Sequence, residues 1–180
     1  MRIIGGSLGG RRFQPPARIP ARPTTDLARE GLFNILNNLM ELEGCTALDL
    51  FGGTGGVTYE LASREAAQVT VVEQDAVSVR FIRKTISELG IAPAVQVVQG
   101  DVFRYLHTAT SPFDLIFADP PYALPAIDEL PRLVFERSLL TAGGVFVLEH
   151  SGRNNYEGAS FFLRAKKYGD TTFTLFQSPR

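Results

Sequence analysis

Cysteine, histidine and tryptophan are scarce or absent in this chain of 180 residues, and no long hydrophobic run occurs in it. The single cysteine, Cys45, excludes an internal disulfide and suits a reducing cytosol. His107 and His150 lack the spacing of metal ligands, so we expect no metal site. No apolar run approaches the roughly 18 residues that cross a bilayer, and the first residues lack the apolar stretch of a secretory signal. We therefore expect a cytoplasmic protein without membrane contact.

The content of hydrophobic residues is ordinary for a folded protein. They make up 44% of the chain and charged residues 21%, and a chain of this length is expected to bury roughly 70% of the surface that it exposes when unfolded. We expect one domain over residues 1–180, with an arm over 1–23 as part of it.

The net charge of −1 hides an uneven distribution of charged residues. Residues 1–30 carry six arginines against two acidic residues, a local balance of +4, whereas the remaining 150 residues have a balance of −5. A basic arm on an acidic body is typical of a protein that contacts nucleic acid. A solvated, arginine-rich loop would show the same charge pattern.

The spacing of hydrophobic residues predicts an α/β fold. Residues 2–4 and 11–14 are expected to pair as a hairpin, followed by an extended proline-rich connection and a helix over 26–40. Strands then alternate with helices, which predicts a mostly parallel sheet with helices on both faces. The strands are predicted at 46–51, 68–73, 94–99, 113–118 and 144–150, the helices at 57–64, 76–89, 102–109 and 126–140, and a closing antiparallel hairpin at 160–167 and 171–177.

A glycine-rich run follows the first strand of the predicted sheet. Its candidate ligand-binding residues are Asp49, Phe51, Gly52, Gly53, Thr54 and Gly55. Glycine lets the backbone turn tightly and approach a ligand. The run lacks the Gly-Lys-Ser/Thr of a phosphate-binding loop, and Thr58 stands where a dinucleotide fingerprint that starts at Gly53 needs its third glycine. Close helix–strand packing also favours glycine, so the run alone does not establish a ligand site.

Acidic residues follow the second and third strands. Glu73, beside Gln74, can accept hydrogen bonds from both ribose hydroxyls of a nucleoside. Asp101 can accept one from an adenine amino group while Val102 packs on the ring. Glu73 could instead be an acid at a helix N-terminus, and Asp101 a helix N-cap, since both roles suit these positions. Nicotinamide enzymes share the ribose-binding acid.

The fourth strand ends in Asp119-Pro120-Pro121-Tyr122, the most specific signal in the sequence. Two prolines stiffen the backbone, so that the Asp119 carboxylate and the Pro120 carbonyl can each accept one hydrogen of an amino group. This grip directs the nitrogen lone pair towards a sulfonium methyl group for in-line displacement. Tyr122 is placed to stack on a base that is single-stranded or flipped out. A proline-rich turn with a tyrosine covering the core is the structural alternative.

These motifs together resemble the bacterial 16S ribosomal RNA guanine-N2 methyltransferases of the small, single-domain type. The likeness covers nearly the whole chain and includes the runs Arg22-Pro23-Thr24-Thr25-Asp26, Asp49 to Gly55 and Asp119 to Tyr122, with Tyr168-Gly169 near the end. Leu27 and residues 7–9 depart from the family by lacking basic side chains, which reduces the expected phosphate contacts.

The resemblance implies a class I S-adenosylmethionine-dependent fold and N2 methylation of one guanine. It implies catalysis by Asp119, Pro120, Pro121 and Tyr122, and a monomer that acts on 16S ribosomal RNA in a partly assembled small subunit. The residues expected to contact RNA are Arg11, Arg12, Arg22, Thr24, Thr25 and Arg29.

Other functions share parts of these motifs. Adenine-N6 DNA methyltransferases and glutamine-amide protein methyltransferases also carry Asp-Pro-Pro-Tyr, but 180 residues leave little room for the separate DNA-recognition domain of many DNA enzymes. A non-catalytic RNA-binding assembly factor has no need for the tetrad's acceptors. A nicotinamide dehydrogenase shares the glycine-rich turn and Glu73.

Overall fold

A seven-stranded sheet forms the centre of the computed structural model, which describes residues 1–20 and 24–180. Arg22, one of the predicted RNA contacts, lies outside these residues. The sheet has the order β3-β2-β1-β4-β5-β7-β6, with β7 antiparallel to both of its neighbours and the other pairs parallel. The strands are β1 Thr46–Leu50, β2 Gln68–Glu73, β3 Val95–Gln99, β4 Phe113–Ala118, β5 Leu140–His150, β6 Phe162–Tyr168 and β7 Thr171–Gln177.

Helices cover both faces of the sheet. They are α1 Asp26–Leu39, α2 Gly56–Ser63, α3 Ala76–Leu89, α4 Val102–Thr108 and α5 Glu129–Glu136. Helices α1 to α3 share one hydrophobic cluster with residues such as Leu115 and Phe117 of β4. Helices α4 and α5 share the other cluster, which includes Ile116 and Ala118 of the same strand. Neighbouring residues of a strand point to opposite faces, so β4 is apolar and buried on both sides from Leu115 to Ala118. This burial on both faces confirms the doubly covered parallel sheet.

The amino-terminal arm packs on α2, and backbone amides of the arm donate hydrogen bonds to this helix. The Ile4 and Gly5 amides each donate to the carboxylate of Glu60 at 2.8 Å, and Glu60 is fully buried. Gly6 has φ +75°, and a Cβ at this residue would lie 2.0 Å from the carbonyl oxygen of Ser63. The predicted pairing of residues 2–4 with 11–14 is present, with a bridge between Arg2 and Arg12 and backbone hydrogen bonds from the Ile3 amide to the Arg11 carbonyl at 2.9 Å and from the Phe13 amide to the Met1 carbonyl at 3.0 Å.

The largest differences from the predicted elements lie around α5. The predicted helix over 126–140 is wrong at both ends, since α5 runs from Glu129 to Glu136 only. Ser138 has φ 52°, a left-handed conformation that a right-handed helix does not continue through. Leu140 consequently belongs to β5, which starts four residues earlier than predicted. Pro131 lies in the first turn of α5, where the missing amide proton has no helical partner to lose.

Membrane-spanning helices and metal-binding clusters are both absent from the described residues. In the described part of the chain, no helix combines the length and hydropathy of a membrane span. Among residues 1–20 and 24–180, no cluster of three His, Cys, Asp or Glu side chains is arranged to hold a metal ion.

Candidate active site

A cavity of about 490 Å³ opens beyond the carboxyl ends of the parallel strands. Ligands of open α/β sheets bind at this edge, and the volume lies within the range of small-molecule sites. All four residues of the Asp119 to Tyr122 tetrad line this cavity. So do the predicted cofactor residues Asp49, Phe51, Gly52, Gly53, Thr54, Glu73, Gln74, Asp101 and Val102, whereas the predicted Gly55 does not line it. The fold therefore brings the four strand-end motifs together at one site.

The glycine-rich turn between β1 and α2 uses left-handed backbone at three residues. Phe51, Gly53 and Gly55 have φ values of 61°, 56° and 82°. Phe51 adopts this backbone conformation although residues other than glycine rarely do. A Cβ on Gly55 would lie 2.4 Å from the Tyr59 hydroxyl, and one on Gly52 would lie 2.3 Å from a methyl group of Val71. Here the glycines serve close packing as well as an open turn facing the cavity.

Glu73 ties this turn to the start of α3. Its Oε2 accepts a hydrogen bond from the Gly53 amide and its Oε1 accepts one from the Asp75 amide, both at 2.8 Å. Asp75, rather than Glu73, caps α3 by accepting from the Ser78 amide at 2.7 Å. The Glu73 carboxylate thus orders two loops of the cavity wall, and each oxygen has a second lone pair that can accept from a ligand hydroxyl.

Asp101 is the N-cap of α4 and also lines the cavity. Its Oδ1 accepts from the Arg104 amide at 2.8 Å, which is the capping role that the sequence left open. Val102 follows it as the first, buried residue of the helix. The two roles at this position are compatible, because a capping carboxylate occupies only part of its acceptor capacity.

Asp49 is buried beneath the glycine-rich turn. Its Oδ2 accepts a hydrogen bond from the Thr58 hydroxyl at 2.6 Å. Burial raises the pKa of Asp49 to about 7, and the Thr58 hydrogen bond counteracts part of that shift. A carboxyl group beneath the cavity therefore titrates near neutral pH.

The Asp-Pro-Pro-Tyr tetrad follows β4 directly. Asp119 is half-buried on the cavity wall, and its amide donates to the Leu50 carbonyl at 3.3 Å. Burial, followed by the charges of Glu149 and Asp49, raises the pKa of Asp119 well above its usual value, while a hydrogen bond with Thr24 lowers it. The side chain is thus an acceptor held among other acids, in a place suited to a positively charged ligand.

Tyr122 is held at its hydroxyl end. This hydroxyl donates to Oε1 of Glu149 at 2.9 Å and lies 2.9 Å from the hydroxyl of Thr171. Its pKa is raised, chiefly by burial. The ring is half-buried in the cavity wall, so Tyr122 combines the wall-forming role of the structural alternative with a position at the proposed base site.

Glu149, at the end of β5, was not predicted as a site residue. Its Oε2 accepts from the Thr24 hydroxyl at 2.8 Å, so it contacts the segment before α1 as well as Tyr122. The signal was present in the sequence, because Glu149 follows a buried apolar run as Glu73 does. Strand β5 is therefore the fifth parallel strand with an acid near its carboxyl end on this cavity, together with β1, β2, β3 and β4.

Arg29 corrects one of the predicted RNA contacts. Its side chain is 2% exposed, and it donates to Asp26 at 2.9 Å and to the Arg2 carbonyl. Burial lowers the pKa of Arg29, an effect opposed first by Asp26 and then by Glu60. A guanidinium with these internal partners orders the arm and α1 rather than presenting itself to an RNA phosphate.

The remaining predicted RNA contacts lie in two places. Arg11 and Arg12 are exposed on the arm, whereas Thr24 and Thr25 line the cavity. Thr25 is also the N-cap of α1, accepting from the Ala28 amide at 3.2 Å.

Met1 completes the cavity wall from the arm. The Thr54 hydroxyl donates to its Sδ at 3.3 Å, and its amino group donates to the Phe13 carbonyl at 3.2 Å. The arm therefore contributes to the cavity itself, and not only to the outer surface.

The chain matches a protein family and two named relatives over nearly its whole length. The family described as "Conserved hypothetical protein 95" matches residues 1–177. A Bacillus subtilis protein named "Putative rRNA methyltransferase YlbH" is 34% identical over 98% of each chain. The "Ribosomal RNA small subunit methyltransferase D" of Escherichia coli is 31% identical over 98% of this chain and 89% of its own.

Solved structures give the same result for the fold. "Putative methyltransferase yhhF from Escherichia coli" superposes with a TM-score of 0.86 at 29% identity, over 99% of this chain and 98% of its own. Family match and superposition both extend over nearly the whole length, arm included. The chain belongs to the conserved hypothetical protein 95 family and has the class I fold of S-adenosylmethionine-dependent methyltransferases.

Proposed function

We propose that this protein transfers the methyl group of S-adenosylmethionine to the exocyclic N2 of a guanine in small-subunit ribosomal RNA. The observation that carries the proposal is the position of the Asp119 to Tyr122 tetrad on the same cavity as the glycine-rich turn and Glu73. The relative named a ribosomal RNA small subunit methyltransferase supports the class of substrate.

The residues around the cavity suit S-adenosylmethionine. Gly52 to Gly55 leave room for a ligand close to the backbone, and Glu73 is available for the ribose hydroxyls. Asp101 and Val102 provide an acceptor and an apolar contact for the adenine. In their ionised form, Asp49 and Asp119 favour a cationic sulfonium over a neutral thioether. The bound cofactor would supply an electrophilic methyl carbon.

The protein's own part in the reaction is to position the nucleophile. Asp119 and the Pro120 carbonyl accept the two hydrogens of the guanine amino group, which localises the nitrogen lone pair and holds it in line with the methyl carbon. Tyr122 supports the base from one face, and such stacking stabilises a base by roughly 1–3 kcal/mol. Acceptors fixed before the substrate arrives need no reorganisation during the displacement.

Arg11 and Arg12 are proposed to hold the RNA through its phosphates. Both are exposed on the arm, whose Met1 end also lines the cavity. Each phosphate contact adds to the salt dependence of binding. The proposed substrate is a partly assembled small-subunit particle in the cytoplasm, on which the protein acts as a monomer.

Methylation of small subunits from a strain that lacks the modification tests the proposal. With labelled S-adenosylmethionine, the wild-type protein should label the RNA, and nucleoside mass spectrometry should identify N2-methylguanosine. Asp119→Ala should lower the rate by about 10²-fold or more, since it removes an oriented acceptor. Glu41→Ala, a change in an exposed acid before β1, is the matched control and should retain activity.

The result separates the proposal from its alternatives. N6-methyladenosine as the product would identify an adenine methyltransferase, and label in protein alone would identify an amide methyltransferase. RNA binding without any methyl transfer by the wild type would favour an assembly factor. Calorimetry with S-adenosylhomocysteine and with NAD distinguishes the dehydrogenase alternative.

A further inference from the structure

Glu149 connects three separate segments beside the proposed reaction site. It accepts hydrogen bonds from Thr24 before α1 and from Tyr122 after β4, at 2.8 and 2.9 Å, and a longer one of 3.5 Å from Thr171 at the start of β7. Its side chain is only 3% exposed. Its carboxylate therefore forms the junction of these three segments.

A carboxylate buried at this junction needs partners that compensate for its lost hydration. Burial of an acid costs free energy unless hydrogen bonds compensate for it, and a second acid, Asp119, interacts electrostatically with Glu149. A pair of neighbouring acids is destabilising when both are ionised. Glu149 therefore depends on partners such as Thr24 and Tyr122, whose hydrogen bonds hold the three side chains together.

The contacts of Glu149 restrain both parts of the proposed acceptor system. The hydroxyl of Tyr122 is held by Glu149 and Thr171, which fixes the direction of its ring. Thr24 donates its single hydroxyl proton to Glu149 at 2.8 Å and lies close enough to Asp119 to lower the pKa of that carboxyl, so its hydroxyl lies between the two acids. A change at Glu149 would reach Tyr122 directly and Asp119 through Thr24.

We propose that Glu149 is a positioning residue for methyl transfer, which sets the orientation of Tyr122 directly and that of Asp119 through Thr24. The inference rests on the proposed function, because it concerns the amine-binding geometry of the same site. Glu149 does not have to touch the substrate in this role. It keeps the ring of Tyr122 and the carboxylate of Asp119 in a fixed orientation relative to each other.

The charge of Glu149 also affects when Asp119 can act as an acceptor. The acids that face Asp119 are Asp49 from β1 and Glu149 from β5, and both raise its pKa, while the Thr24 hydrogen bond lowers it. Glu73 from β2 and Arg29 from α1 line the same cavity. Replacing Glu149 by glutamine removes one of the two raising charges. The pKa of Asp119 should then fall, and the acidic limb of the rate profile should move to lower pH.

Glu149→Gln is the first test, because glutamine keeps the shape and an acceptor oxygen. We expect kcat for methyl transfer to fall about tenfold to a hundredfold, as for a small misplacement of reacting groups. The affinity for S-adenosylhomocysteine should change less than about twofold, since Glu149 lies on the tetrad side of the cavity, near the proposed base site. Glu43→Gln, at an exposed site before β1, is the control.

Thr24 offers a second test that does not alter a buried charge. Thr24→Ser keeps the hydroxyl and should keep more of kcat than Thr24→Val, which keeps the shape but loses the hydroxyl. If Glu149→Gln fails to fold, as shown by its thermal transition, this pair of variants decides the question. Equal rates for serine and valine would overturn the inference.

A double-mutant cycle tests whether Glu149 acts through Tyr122. Tyr122→Phe removes the hydroxyl that Glu149 holds and leaves the ring. If the two residues act as one unit, the double variant Tyr122→Phe, Glu149→Gln should lose less than the product of the single effects. Full activity of Glu149→Gln with an unchanged acidic limb would refute the inference while wild-type activity upholds the proposed function. An inactive wild type would instead count against the proposed function.

Discussion

Replacement of Glu60 by glutamine should strongly destabilise the protein, because this buried carboxylate joins the arm to α2. It accepts from the Ile4 and Gly5 amides at 2.8 Å, and its Oε1 accepts from Arg64 Nη2 at 3.0 Å. The guanidinium Nε of Arg29 lies 4.0 Å from it and has no hydrogen-bond partner. Glutamine has a single acceptor oxygen, so its NH2 group would face the Ile4 or the Gly5 amide, and two donors would then be opposed.

The expected loss in the free energy of unfolding is about 3–5 kcal/mol, as for removal of one partner from a buried ion pair. For a chain of this size each kcal/mol corresponds to roughly 2–4 °C in Tm, so the thermal midpoint should fall by roughly 6–20 °C. Urea denaturation monitored by circular dichroism measures the loss. Amide exchange should accelerate at residues 4 and 5 before global unfolding.

The matched control is Glu88→Gln in α3, which changes the same chemical group at an exposed site. Its ion pair with Lys84 spans 3.7 Å, and both side chains are more than half exposed. Such a pair contributes at most about 1 kcal/mol. A loss below about 1 kcal/mol for Glu60→Gln would refute the reasoning, since the arm would then not depend on this carboxylate.

Three further changes test the site and its supports. Gly55→Ala should weaken S-adenosylhomocysteine binding about tenfold or more in calorimetry, because the φ of +82° at Gly55 disfavours a side chain and the new Cβ would lie 2.4 Å from the Tyr59 hydroxyl. Gly100→Ala is the control and should bind normally, because the space around Gly100 is open. The raised pKa of Asp49, about 7, means that the folded state holds a proton that the unfolded chain releases near pH 4. The carboxyl therefore lowers stability progressively between pH 4 and 7, and Asp49→Asn should gain stability over the wild type across that window in urea titrations; a constant difference would contradict this. Thr25→Ala should cost about 1 kcal/mol by loss of the α1 N-cap, while Thr25→Ser should melt like the wild type, and equal losses for both would rule out the capping role.

Much of the fold could be predicted because its strands are short, apolar and punctuated by glycine and acids. Strand β2, Gln68–Glu73, and strand β4, Phe113–Ala118, begin and end as predicted. Element ends depended on tertiary context. The left-handed Ser138 ends α5 early, and nothing in the local sequence requires a serine to adopt that conformation.

The candidate site was predictable where a motif stands at the end of a strand. Asp119, Glu73 and Asp101 all reach the cavity for that reason. Glu149 was missed because a single acid after an apolar run has no further pattern around it. Its hydrogen bond with Thr24 joins residues 125 positions apart, and no local rule indicates such a contact.

Arg29 shows how charge alone can mislead. It was assigned to RNA with the other arginines of the arm, yet it is buried against Asp26 and the Arg2 carbonyl. Helical spacing could have corrected this, since Arg29 shares a face with Phe33 and Leu36 of α1, both of them buried. A cation on an apolar helix face requires internal partners, and Asp26, three residues earlier, is one.

The place of Met1 in the cavity wall has a practical consequence for anyone preparing this protein. A purification tag joined to its amino group would begin beside the Phe13 carbonyl, on the residue whose Sδ contacts Thr54 in the cavity wall, and would obstruct cofactor and RNA alike. Arg180 offers a safer attachment point, because its side chain lies near Gly143, towards the amino end of β5. Glu149 lies six positions after Gly143, a span of about 20 Å along an extended strand. A tag fused to Arg180 would therefore start well away from the cavity.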